Sequence, residues 1–187
     1  MTGEGARERA ATVAAVNHEA DAAADRLGAL FDVHHQRLYR LARRMSRSAD
    51  EARDLVQDAF LRAARAPASV PAGASAEEAW LVRVLVNLCR DRWRQMTNRE
   101  RLDRATAPTA IESTNPEDAL VARSVVWRAL ATLDPRRRAV LVMYELEGVP
   151  VEIIARTLRV TSVTVRWHLS KGRRQLAAAI RGEGGKP

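Results

Sequence analysis

Asp54-Leu55-Val56-Gln57-Asp58-Ala59-Phe60 is the stretch on which the reading of this chain turns. It belongs to a segment whose start the sequence marks clearly. Ser48 can cap a helix N-terminus, and Glu51 three residues later completes a capping box. Ala52, Leu55, Val56, Ala59, Phe60 and Ala63 then recur at helical spacing and form an apolar stripe. Asp50, Glu51, Asp54, Gln57 and Asp58 gather on and beside the opposite face. The chain carries a formal net charge of +8, so a dense acidic patch on one helix stands out. One reading is a solvated face whose acids complement the positive helix N-terminus. The other is a docking face for a partner.

Helical signals continue on both sides. Leu27, Leu30, Phe31, Leu38, Leu41 and Met45 mark a preceding helix of about five turns. Residues 1–25 read as a weak, frayed helix or a disordered arm. They are Ala-rich but broken by acids, which excludes a signal peptide. Downstream, Pro67–Ser75 is a loop. Ser75 with Glu78 suggests a second capping box, opening a long helix to about Met96. Leu81, Val84, Leu85, Leu88 and Cys89 give that helix a core face. Thr97–Asn115 lacks periodicity, contains Pro108 and reads as a flexible linker. Asn115-Pro116 restarts helix, with Leu120, Ser124, Trp127, Leu130 and Leu133 facing inward. Asp134-Pro135 opens a further helix that ends at Gly148. Val151–Leu158 and Ser162–Ile180 complete the chain. No strand-like alternation appears. The expected fold is all-α, in two helical domains: an arm at 1–25, a first domain at 26–96, a linker at 97–115, a second domain at 116–181 and a tail at 182–187.

Composition narrows the function. A length of 187 residues suits one medium or two small domains, and 29% charged residues suit a globular chain. A pI near 11.0 favours a polyanionic partner. No apolar run is long enough to insert in a membrane. Cys89 is the only cysteine, which points to a reducing, cytoplasmic home. There is no phosphate loop, zinc spacing or nucleophile elbow, and His18, His34, His35 and His168 form no metal pattern. His34 and His35 are expected on the flank of the first helix. No metal, cofactor or catalytic residue is expected, so an enzyme reading is poor.

The C-terminal third supplies a second signature. Val151–Leu158 is a short amphipathic helix, Arg159-Val160-Thr161 a turn with Thr161 as N-cap, and Ser162 begins the next helix. Small Ala155 lets the two helices cross closely. Ile154, Leu158, Val160, Val165 and Leu169 fall where such a unit needs apolar contacts. This is a helix-turn-helix, with its second helix suited to the major groove. The alternative is a plain helical hairpin in a core. Against it, Arg166, His168, Lys171, Arg173 and Arg174 are expected to be exposed together.

The run Ala49–Ala63 closely resembles the core-polymerase-binding helix of bacterial RNA polymerase sigma factors, above all the small extracytoplasmic-function (ECF) group. The stretch from Glu152 to Leu169 resembles the region-4 helix-turn-helix of that family, departing from it at Pro150, Arg159 and Trp167-His168. Arg159 replaces the family's usual turn glycine, so the turn must take another backbone or hold Arg in a left-handed conformation at some cost. Ala79–Arg94 resembles the helix that contacts the −10 promoter element, while the Pro67–Ser75 loop lacks the aromatic and Gly-Asp features often seen there. The three blocks stand in family order, and no third domain fits in Thr97–Asn115. The resemblance implies a transcription initiation factor that binds core RNA polymerase and promoter DNA, with an anti-sigma factor as a further partner. By the same resemblance, Asp50, Glu51, Asp54, Leu55, Gln57 and Asp58 would meet core polymerase. Asn87, Arg90, Asp91, Arg92, Trp93 and Arg94 would engage the −10 element, with Trp93 either packed or stacked on a base. Ser162, Val163, Thr164, Arg166, Trp167, His168, Lys171, Arg173 and Arg174 would engage the −35 element. The alternatives are a stand-alone helix-turn-helix regulator with a helical sensor domain, or a helical adaptor.

Overall fold

The computed structural model describes residues 4–103 and 125–183. Helix α1 spans Glu4–Met45 and α2 spans Ala49–Arg65. A 3-10 turn at Pro67–Ser69 leads to α3, Ala74–Asp103. In the second half α4 is Val125–Ala131 and α5 is Pro135–Leu141, extended by a π-turn at Val142–Leu146. Then come α6, Val151–Leu158, and α7, Ser162–Glu183. Among the described residues there is no strand, and the chain is all-α in two helical domains.

Local chemistry accounts for most boundaries. Ser48 Oγ accepts from the Glu51 amide at 3.0 Å, and Glu51 in turn accepts from the Arg47 amide at 2.7 Å. The box is therefore closed one residue earlier than the simplest pattern. Asp134 Oδ1 accepts from the Arg136 and Arg137 amides at 3.0 and 3.3 Å, with Pro135 in the first turn of α5.

Three expectations about extent are corrected. The stretch 4–25 is continuous with the first helix, making α1 42 residues long, because Ala, Glu and Arg are all strong helix formers. Ser75 does not cap α3. That helix opens a residue earlier, with the Gly73 carbonyl accepting from the Ala76 and Glu77 amides, while Glu78 pairs with Arg37 of α1 at 2.9 Å. Nor does α3 stop at Met96: residues 97–103 extend it, and Thr97 donates back to the Trp93 carbonyl at 2.8 Å. The remaining expected linker, the Asn115 cap, Leu120 and Ser124 lie outside the described residues.

Packing explains the rest of the first domain. Leu38, Leu41, Ala52, Leu55, Val56, Ala59, Leu81 and Leu85 are buried where α1, α2 and α3 meet. Each fully buried leucine contributes about 1.5–3 kcal/mol of hydrophobic stabilisation. Helix α3 buries more than its predicted core stripe: Val82 and Val86 are also covered. The reason is tertiary, since α3 also packs against α5 and α6. The buried apolar residues of the two halves thus form one continuous cluster.

Candidate nucleic-acid interface

Helix α6 buries Ile154, Ala155, Thr157 and Leu158, and α7 answers with Val165 and Leu169. Between them Arg159 adopts φ 52 and ψ 52, the left-handed conformation. The turn therefore keeps the geometry glycine would give and accepts the steric cost of a Cβ. Thr161 closes it, its Oγ1 accepting from the Thr164 amide at 3.1 Å. This is a helix-turn-helix with α7 as its second helix.

The N-terminal end of α7 is open. Val163 is 72% exposed and Trp167 50% exposed, and Arg166 is exposed beside them. Arg166 reaches Glu152 of α6 at 3.4 Å, a surface pair worth little in water. The Arg137 guanidinium sits over the Trp167 ring, 5.5 Å from its centroid. Arg137 thereby joins this surface, a place that no local pattern signals. Further along, Lys171 and Arg174 are exposed, and Arg173 pairs with Glu145 at 2.7 Å and lies over Tyr144. The hydrogen bond to Glu145 holds the Arg173 pKa above its ordinary value.

His168 is corrected. It is buried, not exposed with the basic residues, because α7 packs on α5 and brings it near Asp134, Arg136 and Arg137. Burial, followed by the Arg137 charge, lowers its pKa. Its neighbours Arg166 and Trp167 keep the solvent face.

In the first domain the acidic helix and the expected −10 helix meet. Arg92 of α3 donates to Asp58 of α2 at 2.9 Å and lies 3.8 Å from Asp54. Its charge is therefore engaged inside the protein rather than held out alone. Asp50 pairs with Arg53, and Arg90 with Asp91 at 3.5 Å. Gln57 and Arg94 are exposed, while Asn87 and Trp93 are half-buried. Leu55, expected among the partner-facing residues, is 0% exposed, so it supports that face from beneath. His34 is likewise corrected: it is buried, and its Nε2 bonds to Glu77 of α3 at 3.3 Å. Cys89 is buried, and its thiol is pushed up to about 12, chiefly by that burial. Among the described residues no cluster of His, Cys, Asp or Glu could hold a metal ion, and no helix is long and apolar enough to cross a membrane.

Both halves of the chain are similar to known proteins. Sigma-70 region 2 matches residues 30–99, and Sigma-70 region 4 matches residues 123–176. The ECF RNA polymerase sigma factor SigM of Mycobacterium tuberculosis is 35% identical over 152 residues, covering 81% of this chain and 75% of that protein. The ECF RNA polymerase sigma factor SigL of Mycobacterium tuberculosis is 30% identical over 170 residues, covering 90% of this chain and 96% of its own length. Among solved structures, the sigma factor RpoE of Bartonella quintana, in complex with the anti-sigma factor NepR, superposes with a TM-score of 0.56 at 23% identity. That likeness covers 84% of this chain and 97% of the other and speaks to fold.

Proposed function

Because this chain belongs to the ECF family of RNA polymerase sigma factors, we propose that it works from the cytoplasm as a two-site promoter adaptor with no catalysis of its own. One domain, residues 26–96, holds core polymerase and the −10 element. The other, residues 116–181, holds the −35 element. A sigma factor directs promoter-specific initiation, and the polymerase performs the chemistry.

The observation that carries the assignment of surfaces is the open N-terminal end of α7, where Val163, Arg166 and Trp167 stand exposed together. Recognition helices enter the major groove by that end. Arg166 can make a bidentate base contact, and Trp167 can pack on a thymine methyl or a sugar. Lys171 and Arg174, further along, meet phosphates. In the first domain the exposed acids and Gln57 of α2 lie off the apolar stripe, which suits them to a polar protein partner. Arg92 links that surface to the −10 helix through Asp58. Asn87, Arg90, Asp91, Trp93 and Arg94 are the other side chains offered to the −10 element, with Trp93 half-buried. An anti-sigma factor is the expected regulatory partner, as for other sigma factors of this group.

Run-off transcription with purified core polymerase, with and without the chain, tests the reading. Promoter-dependent transcripts are expected only in its presence. Asp54→Ala with Gln57→Ala should weaken capture of core polymerase in a titration and leave helical content unchanged. Equal affinity would remove α2 from the polymerase interface. The stand-alone regulator loses ground because the first domain has its own sigma match, at residues 30–99.

A further inference from the structure

The reading end of α7 is shaped by an arginine that lies outside that helix. Of the consecutive Arg136, Arg137 and Arg138, the last turns into the seam between the two halves, donating to the carbonyls of Ala131 at 2.7 Å and of Met45. Arg137, one residue earlier, takes the other direction and lies along α7. Helix α7 carries no side chain at Gly172, and a Cβ there would meet Arg137 Cγ at 3.1 Å. The arginine stem therefore occupies space that a glycine leaves. Its head is engaged twice. Nη1 donates to Gln175 Oε1 at 2.6 Å, and the guanidinium carbon sits 5.5 Å from the centroid of the Trp167 ring. The root of the residue is fixed too, since the Arg137 amide donates to Asp134 Oδ1 at 3.3 Å in the cap of α5.

Trp167 is gripped from a second direction. The His168 ring meets it edge-on, with centroids 4.9 Å apart and planes at 72°. His168 is buried, and burial followed by the Arg137 charge lowers its pKa, so the ring that backs the indole is neutral near neutral pH. A guanidinium over an aromatic face and a T-shaped ring pair are both attractive arrangements. Together they restrain an indole that is nonetheless 50% exposed. Ordering a half-exposed side chain costs conformational entropy, and a pre-ordered one spares that cost when a partner binds. In the major groove a thymine is marked by its C5 methyl, which is read by apolar contact. A methyl group directs no hydrogen bond, so the aim of such a contact must come from the protein side. A direct phosphate contact is the rival role for Arg137. The geometry favours positioning, since Nη1 and one face of the guanidinium are already engaged within the protein.

We propose that Arg137 is a positioning residue for sequence reading: backed by Gln175, it holds the Trp167 indole against His168 so that Trp167 reads the methyl group of one thymine in the −35 element. The proposal rests on the −35 assignment of α7. It deepens that assignment by naming the base group that is read and the residue, outside the recognition helix, that sets the reader.

Two measurements on the full chain separate the clamp from its use. In the free protein the heteronuclear NOE of the Trp167 indole N–H should match that of the α7 backbone. Arg137→Met keeps the stem, removes the cation and should lower that NOE, as should Gln175→Ala. Gln175→Glu keeps an acceptor for Arg137 and should preserve it. Circular dichroism should be unchanged throughout. The second measurement uses a duplex enriched from a randomised pool by the full chain, with each thymine replaced in turn by deoxyuridine, which removes only the methyl. One replacement should weaken wild-type binding about fourfold, the value of one buried methyl. Trp167→Ala should abolish that ratio, Arg137→Met and Gln175→Ala should bring it toward one, and Gln175→Glu should leave it in place. An indole as mobile in wild type as in Arg137→Met overturns the proposal before any DNA is added. A ratio of one at every thymine removes Trp167 as a methyl reader and overturns it as well. A ratio unchanged in Arg137→Met, with affinity for all sequences and the salt slope both reduced, makes Arg137 a phosphate contact instead. The expected NOE pattern with no sequence-preferring duplex recovered leaves the clamp on Trp167 standing and overturns the −35 assignment on which its use depends.

Discussion

Helices α2 and α7 both present candidate functional faces, yet they are held in place by different means. Helix α2 is a well-capped amphipath seated on a deep core, and its polar face is braced by Arg92 from α3. Helix α7 is seated by Val165 and Leu169 in the same continuous core and aimed by one turn whose left-handed residue is an arginine. The first face is fixed by burial and capping, the second by burial and one strained turn. A protein-docking face can tolerate side-chain adjustment over a broad area, whereas reading a base edge needs a helix set at one angle. Holding that angle with a non-glycine residue costs about 1–2 kcal/mol of local strain, which the surrounding packing offsets.

The comparison breaks most easily at the core of α2. Leu55→Ala should destabilise the first domain by about 2–5 kcal/mol in denaturant unfolding. Asp54→Ala, one residue away, should change stability by less than about 0.5 kcal/mol. Comparable losses would mean that α2 is not seated as described.

On α7 the largest effect is expected in recognition. Arg166→Ala should reduce discrimination among single-base −35 variants by about 1–3 kcal/mol if it makes a bidentate contact. Arg174→Ala should weaken all sequences alike and lower the salt slope by about 0.9 for each phosphate it no longer neutralises. If Arg174→Ala reorders the sequence preferences and Arg166→Ala does not, the helix docks in another orientation.

A smaller effect probes how α7 is seated. A Cβ on Gly172 would come within 2.6 Å of Leu141 Cδ1 and 3.1 Å of its Cγ. Gly172→Ala gains about 1 kcal/mol of helix propensity but overpacks a buried leucine. A net loss of about 1 kcal/mol is expected by thermal unfolding, and a net gain would show that α7 has room to shift on α5.

The smallest effect tests the turn. Arg159→Gly should stabilise by up to about 1 kcal/mol, removing the left-handed penalty and giving back part of it as chain entropy. Sequence ranking on the −35 panel should be unchanged, because the backbone is already where glycine would put it. A destabilised variant would mean that the Arg159 side chain contributes more than its backbone costs.

The departures from sequence reading share one physical origin. Periodicity identified the apolar faces of α2 and α6 correctly, because Leu55, Ala59, Ile154 and Leu158 pack against elements close by in the chain. It could not find the second buried face of α3. Val82 and Val86 look like the flank of an amphipathic helix until another domain covers them. His168 failed for the same reason: a polar residue between Trp167 and Leu169 reads as exposed unless α5 is known to lie against it. Arg138 is one of three consecutive arginines, and nothing local distinguishes the one that turns inward to cap two helices.

The sequence by itself determined most of the helices, the helix-turn-helix and the family, because capping, apolar period and turn chemistry act over a few residues. It also posed the Arg159 question in its final form. Only the tertiary structure decided the answer to that question, the inward turn of His168 and Leu55, the pairing of Arg92 with Asp58, and the seam held by Arg138. Those depend on which surfaces meet across long separations in the chain, where the free energy comes from burial and charge pairing that no local pattern encodes.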